Sequence, residues 1–131
     1  MYGFSTILDA PFNAVVDRVT EALKKEGFGV LTDIDVKATL KAKLNIDRKP
    51  YRILGACNPP LAHRALSAER DIGLLLPCNV VVYAADQPGK SVVAALDPVE
   101  ALSLAGNDRI RPLATEVRSR LECVLADVGH P

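Results

Sequence analysis

Tryptophan is absent from this chain, methionine occurs once, and phenylalanine and tyrosine contribute three residues each. So few aromatic rings leave little with which to stack nucleobases. Neither sign of charge is in excess, because 16 basic and 16 acidic side chains cancel. A nucleic-acid-binding domain normally carries a basic surplus, so that partner class is not expected. No apolar run approaches the ~18 residues that cross a bilayer. Met1 to Asp9 also lacks the basic start and apolar stretch of a signal peptide, so no membrane partner is expected. Cysteine is scarce at three residues, an odd number with no Cys-x-x-Cys, which fits reduced thiols in the cytoplasm rather than a disulfide framework. Gly-rich phosphate loops, repeats and low-complexity tracts are missing. Gly27-Phe28-Gly29 reads as a helix stop before a strand, without the opening helix of a dinucleotide fingerprint. At 131 residues, the chain is expected to form one domain over 1–131, long enough to bury a core.

What remains is strongly patterned. Tyr2 to Leu8 reads as a strand, and Asp9 with Pro11 as the start of a helix. Phe12, Val15, Val16, Val19 and Leu23 form that helix's apolar stripe, and Gly27 ends it. A strand over 28–34 leads to Asp35, the cap of a shorter helix bearing Val36, Leu40 and Leu44 on one face. Tyr51 to Cys57 reads as the third strand, stopped by Pro59-Pro60, with a short helix over 61–68. The segment 72–85 is long and apolar, and Pro77 within it predicts a bulge or an edge position. Asp86-Gln87-Pro88-Gly89 predicts a turn into a strand over 91–96. Asp97-Pro98-Val99-Glu100 predicts a capped brief helix ending at Gly106. Asn107 is expected to cap the last helix, striped by Ile110, Leu113, Val117, Leu121 and Val124, with a frayed tail over 129–131.

This order of elements predicts an α+β fold, an antiparallel sheet with helices packed on one face. Two long amphipathic helices cover only one side of such a sheet. Val80-Val81-Val82-Tyr83 and Val92-Val93-Ala94-Ala95 are apolar on both faces, so a homodimer is the expected cover for the second.

Three runs carry a family likeness: Leu31 to Leu40, Pro50 to Pro59, and Ile72 to Val80 with its Leu-Pro-Cys-Asn. Over nearly the whole chain, from Tyr2 to about Leu125, it resembles the bacterial and archaeal family called domain of unknown function 302. The resemblance implies a β-α-β-rich, TATA-binding-protein-like sheet arrangement, often dimeric, and no biochemical activity. That likeness in topology implies nothing about DNA.

The candidate site rests on two Cys-Asn dipeptides beside prolines, Cys57-Asn58 and Cys78-Asn79, at the ends of apolar runs. If their strands lie side by side, both thiols meet in one crevice. Arg52 and the basic stretch Lys37, Lys41, Lys43, Arg48 and Lys49 would then attract a small anion. The expected role is ligand binding by Arg52, Cys57, Asn58, Cys78 and Asn79, without enzymatic chemistry, cofactor or metal. One alternative is a thiol protein using Cys57 or Cys78 for redox or sulfur handling, which needs a thiolate stabilised by nearby positive charge. The other is a dimer module without a ligand, in which each thiol is a small buried hydrophobe and each Asn pins a turn. Cys57, His63 and Cys78 match no recurring zinc spacing. Cys123 falls on the polar side of the last helix and has no assigned role.

Overall fold

A computed structural model of the protein describes residues 1–129. Five strands form one antiparallel sheet: β1 (Gly3–Leu8), β2 (Gly29–Asp35), β3 (Tyr51–Cys57), β4 (Cys78–Ala84) and β5 (Ser91–Leu96). Their order across the sheet is β1-β5-β4-β3-β2, so β4 is central and β1 and β2 are the edges. The helices α1 (Phe12–Lys25), α2 (Val36–Leu44) and α3 (Pro59–Ala68) lie between strands, and α4 (Pro98–Leu102) and α5 (Arg111–Gly129) follow the last strand. The α+β fold with an antiparallel sheet is therefore as the sequence predicts.

Alternation along the strands decides what each face buries. Leu54 and Ala56 on β3, Cys78, Val80 and Val82 on β4, and Val93 and Ala95 on β5 meet the apolar stripes of α1 and α5. Val15, Val19 and Leu23 supply the first stripe, and Leu121, Val124 and Val128 the second. A second cluster joins Leu61 and Ala65 of α3 to Leu102 of α4 and Ile110, Leu113 and Ala114 at the start of α5. The opposite sheet face carries Ile7, Ile34, Ile53, Val81, Tyr83, Val92 and Ala94. None of these belongs to either cluster of the described residues.

Local chemistry sets most boundaries where the sequence places them. Asp35 accepts from the Ala38 amide at 2.9 Å and caps α2, and Asp97 accepts from the Val99 amide at 2.9 Å before α4. Gly27 follows α1 with φ +84°, a conformation that favours glycine. A Cβ there would also come within 3.0 Å of the Asn58 amide nitrogen. Asn107 accepts from the Arg109 amide at 2.9 Å, in the turn that leads into α5.

Three expectations need correction. Pro11, not Asp9, flanks α1, and its carbonyl accepts from the Val15 amide at 3.1 Å. Asp9 sits too far upstream for its carboxylate to reach the free amides of the first turn. Residues 72–85 are not one strand: Arg70–Leu75 is a short 3-10 helix, and β4 starts only at Cys78. Pro77, preceded by a cis peptide, therefore lies outside the ladder and needs neither a bulge nor an edge. The bulge falls instead on β2, where the register shifts between Val30 and Thr32. Finally, α2 buries no residue, so Val36, Leu40 and Leu44 do not form a core stripe. The expected fraying at 129–131 concerns two residues outside those described; Gly129 itself is the last residue of α5.

Candidate functional site

The end of β3 and the start of β4 lie side by side, with Ala56 opposite Cys78 and Gly55 opposite Asn79. Asn58 turns the chain out of β3 into α3. Its side chain accepts from the Leu61 amide at 3.3 Å, and its carbonyl accepts from the Ala62 amide at 2.8 Å. Its amide nitrogen donates to the Glu26 carbonyl at 3.4 Å, and Arg120 donates to the same oxygen at 3.1 Å. Asn58 thus ties the end of α1 to the start of α3, and Arg120 joins the middle of α5 to the same carbonyl.

Under α3 this arrangement leaves a cavity of about 330 Å³. Its floor is Ala56, Cys78 and Phe28, and its far wall is Leu102, Leu113 and Val117. Leu61, Ala62, Ala65 and Leu66 of α3 form the roof. Thr32, Cys57 and Asn58 supply one polar edge. Leu31, 69% exposed, and Leu66, 47% exposed, also line it, so the mouth is apolar as well. The volume is about twice the ~150 Å³ apolar cavity that takes up benzene.

Both thiols therefore meet in one crevice. Cys78 is buried and Cys57 partly exposed. Burial pushes the Cys78 thiol up from 9.0 to about 11, with the nearby Cys57 adding to the effect. At neutral pH Cys78 is then a protonated, weakly polar group rather than a nucleophile.

The other predicted site residues lie elsewhere. Arg52 is five residues from Cys57 along β3, roughly 17 Å of strand. Its guanidinium is held by Asp33 on β2, with hydrogen bonds of 2.7 and 2.5 Å. That bond lowers the Asp33 carboxyl below its usual range and raises Arg52. Asn79 is exposed, and by alternation it points to the sheet face opposite Cys78. In the basic stretch, Lys41 pairs with Asp47 at 3.1 Å and Lys49 with Asp86 at 3.4 Å. Among the described residues, no Lys, Arg or His lines the cavity. His63 instead joins Arg64, Ser67 and Arg109 in a separate surface groove. Cys123 is exposed, as its position on α5 predicts.

Nor does the start of α3 make an anion site. Pro59 and Pro60 have no amide hydrogens, and the amides of Leu61 and Ala62 are already bonded to Asn58. Sequence reasoning located the two cysteines and Asn58 and missed Thr32, Phe28, Leu113 and Val117. A signal for Thr32 was present in Gly55: a Cβ on that glycine would fall 2.1 Å from the Thr32 hydroxyl oxygen and 2.9 Å from Pro77 Cγ.

The model for the family described as domain of unknown function DUF302 matches residues 4–128. A solved relative, the crystal structure of the uncharacterised conserved protein DUF302 from Bacillus stearothermophilus, is 29% identical, covers 98% of each chain, and superposes with a TM-score of 0.89. No curated protein matches the chain. The fold, the match across nearly all strands and helices, and the solved relative agree: this chain belongs to the DUF302 family.

Proposed function

We propose that this protein is a small-molecule-binding module whose ligand sits in the apolar cavity between α3, α5 and the β3–β4 end of the sheet. The observation that supports this reading is the lining: apolar side chains on roof and far wall, a floor of Ala56, Phe28 and the protonated Cys78 thiol, and no charged side chain among the described residues. Cavities of this size and character are the usual form of a small-molecule site. The ligand is apolar rather than the small anion the basic stretch favoured. A carboxylate or phosphate would lose its hydration there and find no cation in return. Thiol chemistry is the weaker reading, because burial keeps Cys78 protonated and the lining offers no positive charge to stabilise a thiolate. The test is fluorescence of the neutral apolar dye N-phenyl-1-naphthylamine. The protein should enhance it saturably, and Ala62→Leu, which grows into the cavity from the roof, should abolish the enhancement. An unchanged signal in that variant would place the dye elsewhere and overturn the reading.

A second copy of the chain is the proposed cover for the other sheet face. That face carries Ile7, Ile53, Val81, Val92 and Ala94 with no charge among them, and both Tyr51 and Tyr83, whose rings stack at 5.3 Å. Five strands of about six residues present roughly 24 by 20 Å, close to 500 Å² on each partner. Two such faces reach the ~1,000 Å² that a specific interface needs. Light scattering coupled to size exclusion should report twice the 14.1 kDa chain mass, and Val81→Lys should halve it. A monomeric parent would refute this part and leave the cavity reading standing.

A further inference from the structure

Ala62 and Leu66 of α3 face the cavity, while His63, Arg64, Ser67 and Ala68 of the same helix line a separate surface groove with Arg109 and Leu113. The groove holds about 340 Å³, and among the described residues no acid lines it. Acids close by in the chain have other partners. Asp108 pairs with Arg111 at 3.1 Å, Glu116 with Arg120 at 3.2 Å, and Glu69 accepts from Asn107 at 2.9 Å. The arginine ion pairs among the described residues are those of Arg52, Arg111, Arg118 and Arg120, so Arg64 and Arg109 keep an unneutralised charge. In a chain whose charges sum to zero, this is a local segregation and not the overflow of a basic excess.

Arg109 is also held in place. Its guanidinium donates to the Ala68 carbonyl at 2.7 Å, and its backbone amide to the Asn107 side-chain oxygen at 2.9 Å. One of its five N–H groups is spent there, and the rest of the fork faces solvent. Asn107 donates to the same Ala68 carbonyl at 3.1 Å, so the negative end of α3 is covered and repels an anion less. Ser67 spends its hydroxyl proton on the His63 carbonyl at 2.9 Å and has none to offer a ligand.

Independently of the cavity reading, we propose that this groove binds a small phosphate monoester. Arg64 and Arg109 clamp the phosphate, the His63 imidazole adds an N–H, and the carbon part of the ester lies over Leu113 and Ala68. Guanidinium forks match phosphate oxygens two at a time, and two forks offset both charges of the dianion. The volume is about twice the ~150 Å³ that takes up benzene, so the groove accommodates a ring-sized organic part beside the phosphate.

Amide shifts in proton–nitrogen NMR spectra test this at one fixed low ionic strength, with phenyl phosphate, inorganic phosphate and benzoate as probes. Phenyl phosphate should move amides within 63–68 and 109–113 saturably. It should bind about tenfold more tightly than benzoate, which engages one fork, and about threefold more tightly than inorganic phosphate. Arg64→Gln and Arg109→Gln should each weaken it about tenfold, whereas Arg70→Gln, at an exposed arginine outside the groove, should leave it unchanged. Arg64 makes no side-chain bond among the described residues, so its variant carries the test even if Arg109→Gln disturbs the end of α3. An equal loss in Arg70→Gln means diffuse attraction and overturns the clamp. Inorganic phosphate binding as tightly as phenyl phosphate overturns the ester. Shifts confined to Phe28, Ala56 and Cys78 place the probe in the cavity and overturn the groove. No saturable shift overturns this proposal and leaves the cavity reading, which the dye tests, untouched.

Discussion

Gly55→Ala is the sharpest single perturbation of the site. Gly55 lies within β3 and has no left-handed φ, so alanine fits its backbone. In open space that exchange would stabilise the protein by about 0.4–1 kcal/mol, because the unfolded chain loses more freedom. The slot is not open. The new Cβ would meet the Thr32 oxygen at 2.1 Å and Pro77 Cγ at 2.9 Å. Thr32 can escape by rotating χ1, since its own Cβ stands at an ordinary 3.5 Å, but leaving its preferred rotamer costs about 0.5–1.5 kcal/mol. The Pro77 ring has no such rotation and must shift by about half an ångström, an overpacking cost of about 1–3 kcal/mol. The clashes win, and the net effect is a destabilisation of about 1–2 kcal/mol. Urea unfolding should show the midpoint falling by about 0.5–1.5 M at unchanged slope. In a Thr32→Ala background one of the two clashes disappears, so the cost of Gly55→Ala should shrink by about 1 kcal/mol. A neutral or stabilising Gly55→Ala, or an identical cost in both backgrounds, would refute the slot and the placement of Thr32.

Further outcomes follow from the Cys78 thiol and from the Asp97 cap. Because the Cys78 thiol titrates near 11 when folded and near 9.0 when free, the folded state holds its proton more tightly. The stability this contributes is intact below pH 9 and is lost as pH rises to about 11. The gap in unfolding free energy between the parent and Cys78→Val should therefore move against the parent by about 2–3 kcal/mol across that window. In the native protein at pH 8, iodoacetamide should label exposed Cys123 and leave Cys78 untouched; equal labelling would refute its burial. Arg118→Ala should cost about 1–3 kcal/mol in a thermal or urea melt, because it strands the buried Asp97 carboxylate that Arg118 pairs at 3.0 Å. Asp97→Asn in the same chain should recover part of that loss.

How far the sequence could be read depended on the range of the interactions involved. Asp35, Asp97 and Gly27 act on amides a few residues away, so their roles were legible from neighbours alone. Tyr51–Cys57 was delimited by the prolines that flank it, Pro50 and Pro59. The 72–85 segment misled because an apolar run has no periodicity that separates a strand from a short helix, and Ile72 is buried against α3 and α5, not in the sheet. The two thiols were correctly placed near one another because strands joined through a short helix tend to pair. A crevice at the two thiols was expected, but its apolar walls were invisible, since they come from Phe28, Ala56, Leu76 and Leu113, on elements scattered through the chain. Arg52 was drawn toward the site by sequence proximity, although a strand carries each residue some 3.3 Å further off.

The strand order has a kinetic consequence. β3, β4 and β5 are neighbours in both sequence and space, while β1 must find β5 across a long stretch of chain, with Gly3 opposite Leu96. Closing short loops is entropically cheaper than closing long ones, so the β3–β4–β5 meander with α3 is expected to assemble ahead of the β1 edge. Only the floor on β3 and β4 and the roof on α3 belong to that locally connected part; the far wall on α4 and α5 does not. In native-state hydrogen exchange the amides of β1 should open at lower free energy than those of β4, and the floor and roof of the cavity would keep their shape while that edge breathes.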